Sequence, residues 1–177
     1  MPHPLLERLA AGPLLADGAM GTMLYARGVA LDQPFDELNL TQPALVGEVH
    51  RAYIHAGADL IETNTFGANR LRLEAAGLAG KVRDINRRGV RIAREEREIS
   101  GRPVIVAGSI GPTMRILEPI GALARQSARD AFAEQIDALL EGGVDCLMFE
   151  TFGSVVEMEE ALAAARAACD LPIVALM

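Results

Sequence analysis

The chain has 177 residues, half of them apolar, with a formal net charge of −7 and a sequence pI near 5.0. That length suits one domain with a substantial core. The acidic balance, with no basic stripe to offset it, argues against a nucleic-acid partner. The longest apolar runs, such as IVALM at 173–177, fall far short of the ~20 residues needed to cross a bilayer. The opening MPHPLLERLA has no basic n-region, so the cytoplasm is the simplest address.

In chain order, PLLAD at 13–17 reads as the first strand. Leu45, Val46, Val49, Ala52, Tyr53 and Ala56 then follow helical spacing, in a helix that starts after Thr41 and stops at Gly57. ADLIETN at 58–64 is the second strand, and residues 69–99 form the next helical segment, broken at Gly77 to Gly80. Within it, RDINRRGVRIAREERE at 83–98 mixes charges of both signs around a stripe of Val82, Ile85 and Ile92, as a solvated helix face does. PVIVAGS at 103–109 is the third strand. The helix after it carries Ala128, Phe132, Ile136, Leu139 and Leu140 and ends at Gly142 and Gly143. VDCLMFE at 144–150 is the fourth strand, Ser154 and Glu157 have capping-box spacing for a helix running to about Ala168, and PIVALM at 172–177 is the fifth strand, ending at Met177.

Near-continuous apolar strands alternating with helices indicate a parallel sheet. The units also repeat: GADLIETNTFG at 57–67 aligns without a gap on GVDCLMFETFG at 143–153, and DGAMGTM at 17–23 echoes AGSIGPTM at 107–114. Duplicated βα units point to an α/β fold of the (β/α)8 barrel type. Such a barrel takes eight strands and typically ~250 residues, against five strands here. Two explanations are open: residues 1–177 are the N-terminal portion of a longer barrel, or they form a five-stranded doubly wound domain that binds a small ligand without catalysis.

In parallel βα folds, ligands sit at the carboxyl ends of the strands. Asp17, Glu62, Thr63, Asn64, Thr65, Glu150 and Thr151 all lie there. Asn64 and Glu150 are equivalent in the repeat and are both expected to point inward, whereas Glu62, matched to Met148, is expected to face the helices. A buried carboxylate needs a positive or donating partner. No lysine or arginine lies in these tips, so Asp17 and Glu150 suggest a cationic ligand group such as an ammonium. Thr63 and the backbone amides of the glycine turns, Gly18 among them, are available for its other polar atoms. The alternative is that the acids cap helices or bind loop amides.

Other chemistry is sparse. The Gly-x-x-Gly turns lack the Lys-Ser/Thr of a phosphate loop, and no nucleophile motif is present. His50 and His55 stand roughly 140° apart on a helix and read as surface or satisfied histidines. Cys146 and Cys169 read as structural thiols. Met20, Met23 and Met114 are either core filler or a thioether lining at the mouth.

LLADGAMGTML at 14–24, AGADLIETNTFGANRLRL at 56–73, VAGSIGPT at 106–113 and EGGVDCLMFET at 141–151 together resemble the homocysteine S-methyltransferase family. The ETNTF form resembles the homocysteine modules of methionine synthases and of fusions with methylenetetrahydrofolate reductase. The resemblance implies methyl transfer to homocysteine, with methyltetrahydrofolate or methylcobalamin as possible donor and a donor-binding module as possible partner. It also implies a zinc ion that keeps the substrate sulfur as a thiolate. Asp17 and Glu150 match the positions that hold the substrate ammonium, and Thr63 and Phe66 match the substrate-facing tip of the second strand. The family's cysteine ligands follow the sixth and eighth strands, which places them beyond Met177, and Cys146 and Cys169 match neither location. The expectation is therefore that these 177 residues bind negligible zinc, transfer no methyl group by themselves and tend to self-associate through open sheet edges.

Overall fold

A computed structural model describes residues 3–30 and 33–177. Its sheet has four strands, β1 (Leu60–Glu62), β2 (Ile105–Ile110), β3 (Cys146–Phe149) and β4 (Ile173–Ala175), all parallel and paired in the order β1-β2-β3-β4. The expected first strand is reduced to one parallel bridge between Ala16 and Leu60, supported by Asp17 N to Leu60 O at 2.9 Å. Pro13 has no amide to donate, and the Asp59 carboxylate takes the Leu15 amide, so little ladder remains for this segment. The expected last strand is shorter than its sequence suggests. Pairing stops at Ala175, and Leu176 and Met177 are exposed.

Strand order decides between the two architectures. A doubly wound sheet reverses its order at a switch point. Here each strand lies beside the one before it, as in a barrel, which overturns the doubly wound reading. The helices collect on one face: α4 (Pro43–Ala56), α6 (Val82–Ser100), α7 (Arg125–Gly142) and α8 (Val155–Ala168). Short helices α1 (Pro4–Ala11), α2 (Met20–Tyr25), α3 (Leu38–Thr41) and α5 (Arg70–Leu73) fill the connections. Each long helix except α8 ends at a glycine with positive φ: Gly57 at 110°, Gly101 at 65° and Gly143 at 87°. These left-handed caps place the turn into the next strand where the sequence expects it.

Two cores result from strand alternation. Leu147 and Phe149 face the helices and pack with Phe132 and Phe152, whose rings lie 5.9 Å apart. Leu60, Ile105, Ala107, Cys146 and Met148 face the concave side, where Leu5 of α1 closes the amino-terminal end of the strands. Arg8 of α1 fastens that plug, bonding the Asp59 carboxylate at 2.7 Å. The remaining helical faces behave as the sequence reads: Val82, Ile85 and Ile92 are buried, and the charges around them are paired or solvated.

His50 departs from expectation. His55 is exposed, but His50 is fully buried, and among the described residues neither ring nitrogen finds a partner. Burial pushes its pKa down from 6.5 to about 4. Because the folded-state value lies below the unfolded one, stability is present above pH 6.5 and lost as pH falls towards 4. The loss amounts to about 3 kcal/mol at most. Replacing His50 with Leu is therefore expected to flatten the acid limb of the Tm–pH curve, and an unchanged limb would show that other groups control it.

Candidate functional site

The carboxyl ends of the strands open into a cleft of about 930 Å³. Asp17, Gly18, Thr63, Phe66 and Glu150, all five expected site residues, line it. Asp17 ends the extended N-terminal segment, and its carboxylate accepts the Glu62 amide at 3.0 Å. Glu150 follows β3 and accepts a hydrogen bond from the Ser109 hydroxyl at 2.5 Å. The following residue, Thr151, has φ of 61°, an unusual conformation for a β-branched side chain.

Glu62 is where the orientation expected from the sequence is corrected. The alternation that carries Cys146 and Met148 to the concave side also carries Leu60, and with it Glu62. Glu62 therefore enters the cleft instead of facing the helices, and joins Asp17 and Glu150. Burial, then the neighbouring Glu150 carboxyl and the Asp17 charge, hold the Glu62 carboxyl far above the usual carboxylate range, against the lowering effect of the Ser109 hydroxyl. Asp17 is pushed up to about 7, chiefly by burial and then by the Glu150 charge, against the lowering effect of the Glu62 amide. Three acids thus crowd one end of the cleft, and no cation of the described residues is among the groups that act on them.

Asn64 is also corrected. The strand ends at Glu62, so alternation stops there, and the Asn64 side chain turns to the Phe35–Asn39 segment. Its amide donates to Phe35 O at 2.8 Å and to Asn39 Oδ1 at 3.0 Å. Thr63 borders the cleft with its hydroxyl already committed. Its oxygen accepts the Ser109 amide at 3.0 Å and lies 2.6 Å from Thr65 Oγ1, which itself bonds Ser109 O. Thr63 thus ties β1 to β2 beneath the acids.

Phe66 forms an apolar wall, with the Arg72 guanidinium 4.9 Å from its ring centroid. A side chain at Gly111 would collide with that ring, so only glycine leaves the ring its place. Gly18 leaves bare backbone at the rim, where a Cβ would sit 3.0 Å from the Tyr53 hydroxyl. Met20 borders the cleft, Met23 packs into the core around Leu24, and Met114 is exposed, so the methionines form no common lining. Sequence reasoning missed Ser109 and Arg72. Ser109 lies near the end of β2, level with Met148 in the β2–β3 register, and its hydroxyl reaches Glu150 two residues further along the neighbouring chain segment.

Among the described residues, no three His, Cys, Asp or Glu side chains converge as metal ligands. Cys146 is buried on the concave side with its thiol pushed up to about 12, mainly by burial, and Cys169 lies at the end of α8. Neither is placed as a thiolate ligand, so these residues do not fit the zinc site that the resemblance implies. Met177, the residue beyond which the resemblance places the metal ligands, is exposed past the end of β4 and does not line the cleft. No described helix is long and apolar enough to cross a membrane.

A one-way parallel sheet with acids at its carboxyl rim defines a barrel-type α/β module. The family model described as homocysteine S-methyltransferase matches residues 14–177, and the chain belongs to that family. It is 38% identical over 173 residues to methionine synthase of Mycobacterium leprae (strain TN), and 36% identical to that of Mycobacterium tuberculosis (strain ATCC 25618 / H37Rv). Each match covers 93% of this chain and 14% of the relative. The homocysteine methyltransferase MmuM of Escherichia coli, in its metallated form, superposes with a TM-score of 0.84 at 27% identity. That match covers 97% of this chain and 65% of MmuM; the apo form of MmuM gives a TM-score of 0.70 at 25% identity. The chain thus spans only part of the relatives it resembles.

Proposed function

We propose that this chain is the substrate-holding N-terminal part of a homocysteine S-methyltransferase barrel, and that its cleft receives the amino-acid end of homocysteine. The observation that carries this reading is that Asp17, Glu62 and Glu150 all line the cleft, while its one lining cation among the described residues, Arg72, lies over the Phe66 ring and is not among the groups that act on Asp17 or Glu62. Burying like charges together is costly unless a ligand brings the opposite charge. A primary ammonium has one positive charge and three N–H donors, which matches three carboxyl groups.

In this reading Asp17 and Glu150 orient the ammonium, each already steadied by a protein donor. The Phe66 ring offers an apolar surface for the side-chain methylenes, and the exposed backbone at Gly18 remains free to meet the carboxylate. The sulfur then projects away from the acids, towards the open cleft where a methyl donor can reach it. Methyltetrahydrofolate and methylcobalamin are the donors this assignment favours, presented by another module. Membership in the family and similarity to the two methionine synthases support the assignment.

Titration calorimetry on the whole natural protein tests it, with L-homocysteine compared against 4-sulfanylbutanoate, which keeps the thiol and carboxylate but lacks the ammonium. The amino acid is expected to bind at least roughly a hundredfold more tightly, the value of about two charge-assisted hydrogen bonds. Equal affinities would overturn the ammonium site.

A further inference from the structure

Glu62 raises a hydrogen-bonding problem that Asp17 and Glu150 do not. Asp17 receives the Glu62 amide and Glu150 receives the Ser109 hydroxyl, but Glu62 Oε2 is buried with no donor among the described residues. Its carboxyl instead shares the cleft with another acid, Glu150, which acts on it directly. Two ionised carboxylates cannot make that pairing favourably. A carboxylic acid and a carboxylate can, because the O–H of one donates to the other. A hydrogen on Glu62 supplies the bond that its buried oxygen otherwise lacks.

Among the described residues, the elements packed around Glu62 bring it no compensating cation. The N-terminal segment contributes Asp17, β2 contributes the Ser109 hydroxyl, and β3 contributes Cys146 and Glu150. From α4, Tyr53 faces Asp17, and Arg27, the cation that acts on Tyr53, donates to Met23 O at 2.9 Å. None of these donates to Glu62 Oε2.

We propose that Glu62 carries a proton donated to Glu150 before substrate arrives, and that an incoming primary ammonium displaces this proton to solvent and takes its place between the two side chains. The inference rests on the reading of the cleft as an amino-acid site. The exchange balances: the Glu62 O–H bond breaks, the proton leaves to buffer, and an N–H of the ammonium replaces it as donor to the freed carboxylate. Glu62 is then a binding residue as well as a charge regulator. It leaves the vacant cleft with one negative charge fewer, and the bound cleft with the charge that the ammonium requires. Amino-acid binding is consequently linked to proton release, and affinity rises with pH.

The test uses L-methionine, which has the ammonium and carboxylate but no thiol proton to confuse the count. Calorimetry on the whole natural protein in buffers of different ionisation enthalpy reads the protons released. About one proton is expected at pH 7, with affinity rising up to roughly tenfold per pH unit between about pH 6 and 8. Glu62→Gln is expected to lose most of that release, leaving the smaller contribution of Asp17. Methionine binding with no proton exchange would overturn the inference while leaving the ammonium site intact, as would undiminished release in Glu62→Gln. Failure of both methionine and homocysteine to bind would overturn the amino-acid reading and this inference with it.

Discussion

Asp17→Asn and Glu150→Gln are each expected to weaken homocysteine binding roughly ten- to a hundredfold, the value of one hydrogen bond to a charged group. The substitutions keep the size and the hydrogen bonds to the Glu62 amide and the Ser109 hydroxyl, so the loss reports charge. Asp17→Asn carries a second, opposite effect on stability. The folded-state pKa of Asp17, about 7, lies above its ordinary 3.8. The folded state therefore binds the proton more tightly, and the contribution of this residue to stability is present below pH 3.8 and lost as pH rises through 7. An asparagine is never ionised, so the variant should melt at a higher temperature than the parent at pH 8 and show little difference at pH 4. Calorimetric affinity and Tm measured on the same samples check both halves. A variant that loses binding and also loses stability at pH 8 would show that Asp17 is a structural anchor and not a strained ligand group.

Glu157→Ala is the second large effect, expected to cost about 2–4 kcal/mol in urea unfolding, since truncation leaves two buried donors unpaired, each worth about 1–3 kcal/mol. Glu157 is only 5% exposed, and its Oε1 accepts both the Thr113 amide at 2.7 Å and the Thr113 hydroxyl at 2.5 Å. The bond spans 44 residues and pins the loop after β2 to the start of α8. That loop begins just beyond Ser109, so the same change should also loosen the support of Glu150. Glu157→Gln keeps one acceptor and should lose less. A cost under about 1 kcal/mol for the alanine variant would show that water replaces the carboxylate.

Glu157 also marks where local reading stops. Its spacing from Ser154 announces a capping box, and Ser154 Oγ does accept the Glu157 amide, at 3.4 Å. The carboxylate half of the box goes elsewhere, to Thr113, because a buried amide and hydroxyl from a distant loop lie within its reach. His50 is similar. Its helical position is plain from the sequence, but only the packed structure buries the ring where, among the described residues, neither nitrogen finds a partner.

Features with a local period can be read directly from the chain: the helical stripes, their glycine ends, the buried strands, the repeated unit and the placing of acids at strand tips. These follow from contacts among residues three or four apart on a helix, or two apart on a strand. Packing in three dimensions was needed to establish which tips share one cleft, that strand order is sequential, and that the first strand shrinks to a bridge. It also turned Glu62 inward and Asn64 away, because alternation holds only as long as a strand stays paired, and β1 stops at Glu62. Pairing partners are chosen by long-range register, which leaves no mark in any one stretch of the chain.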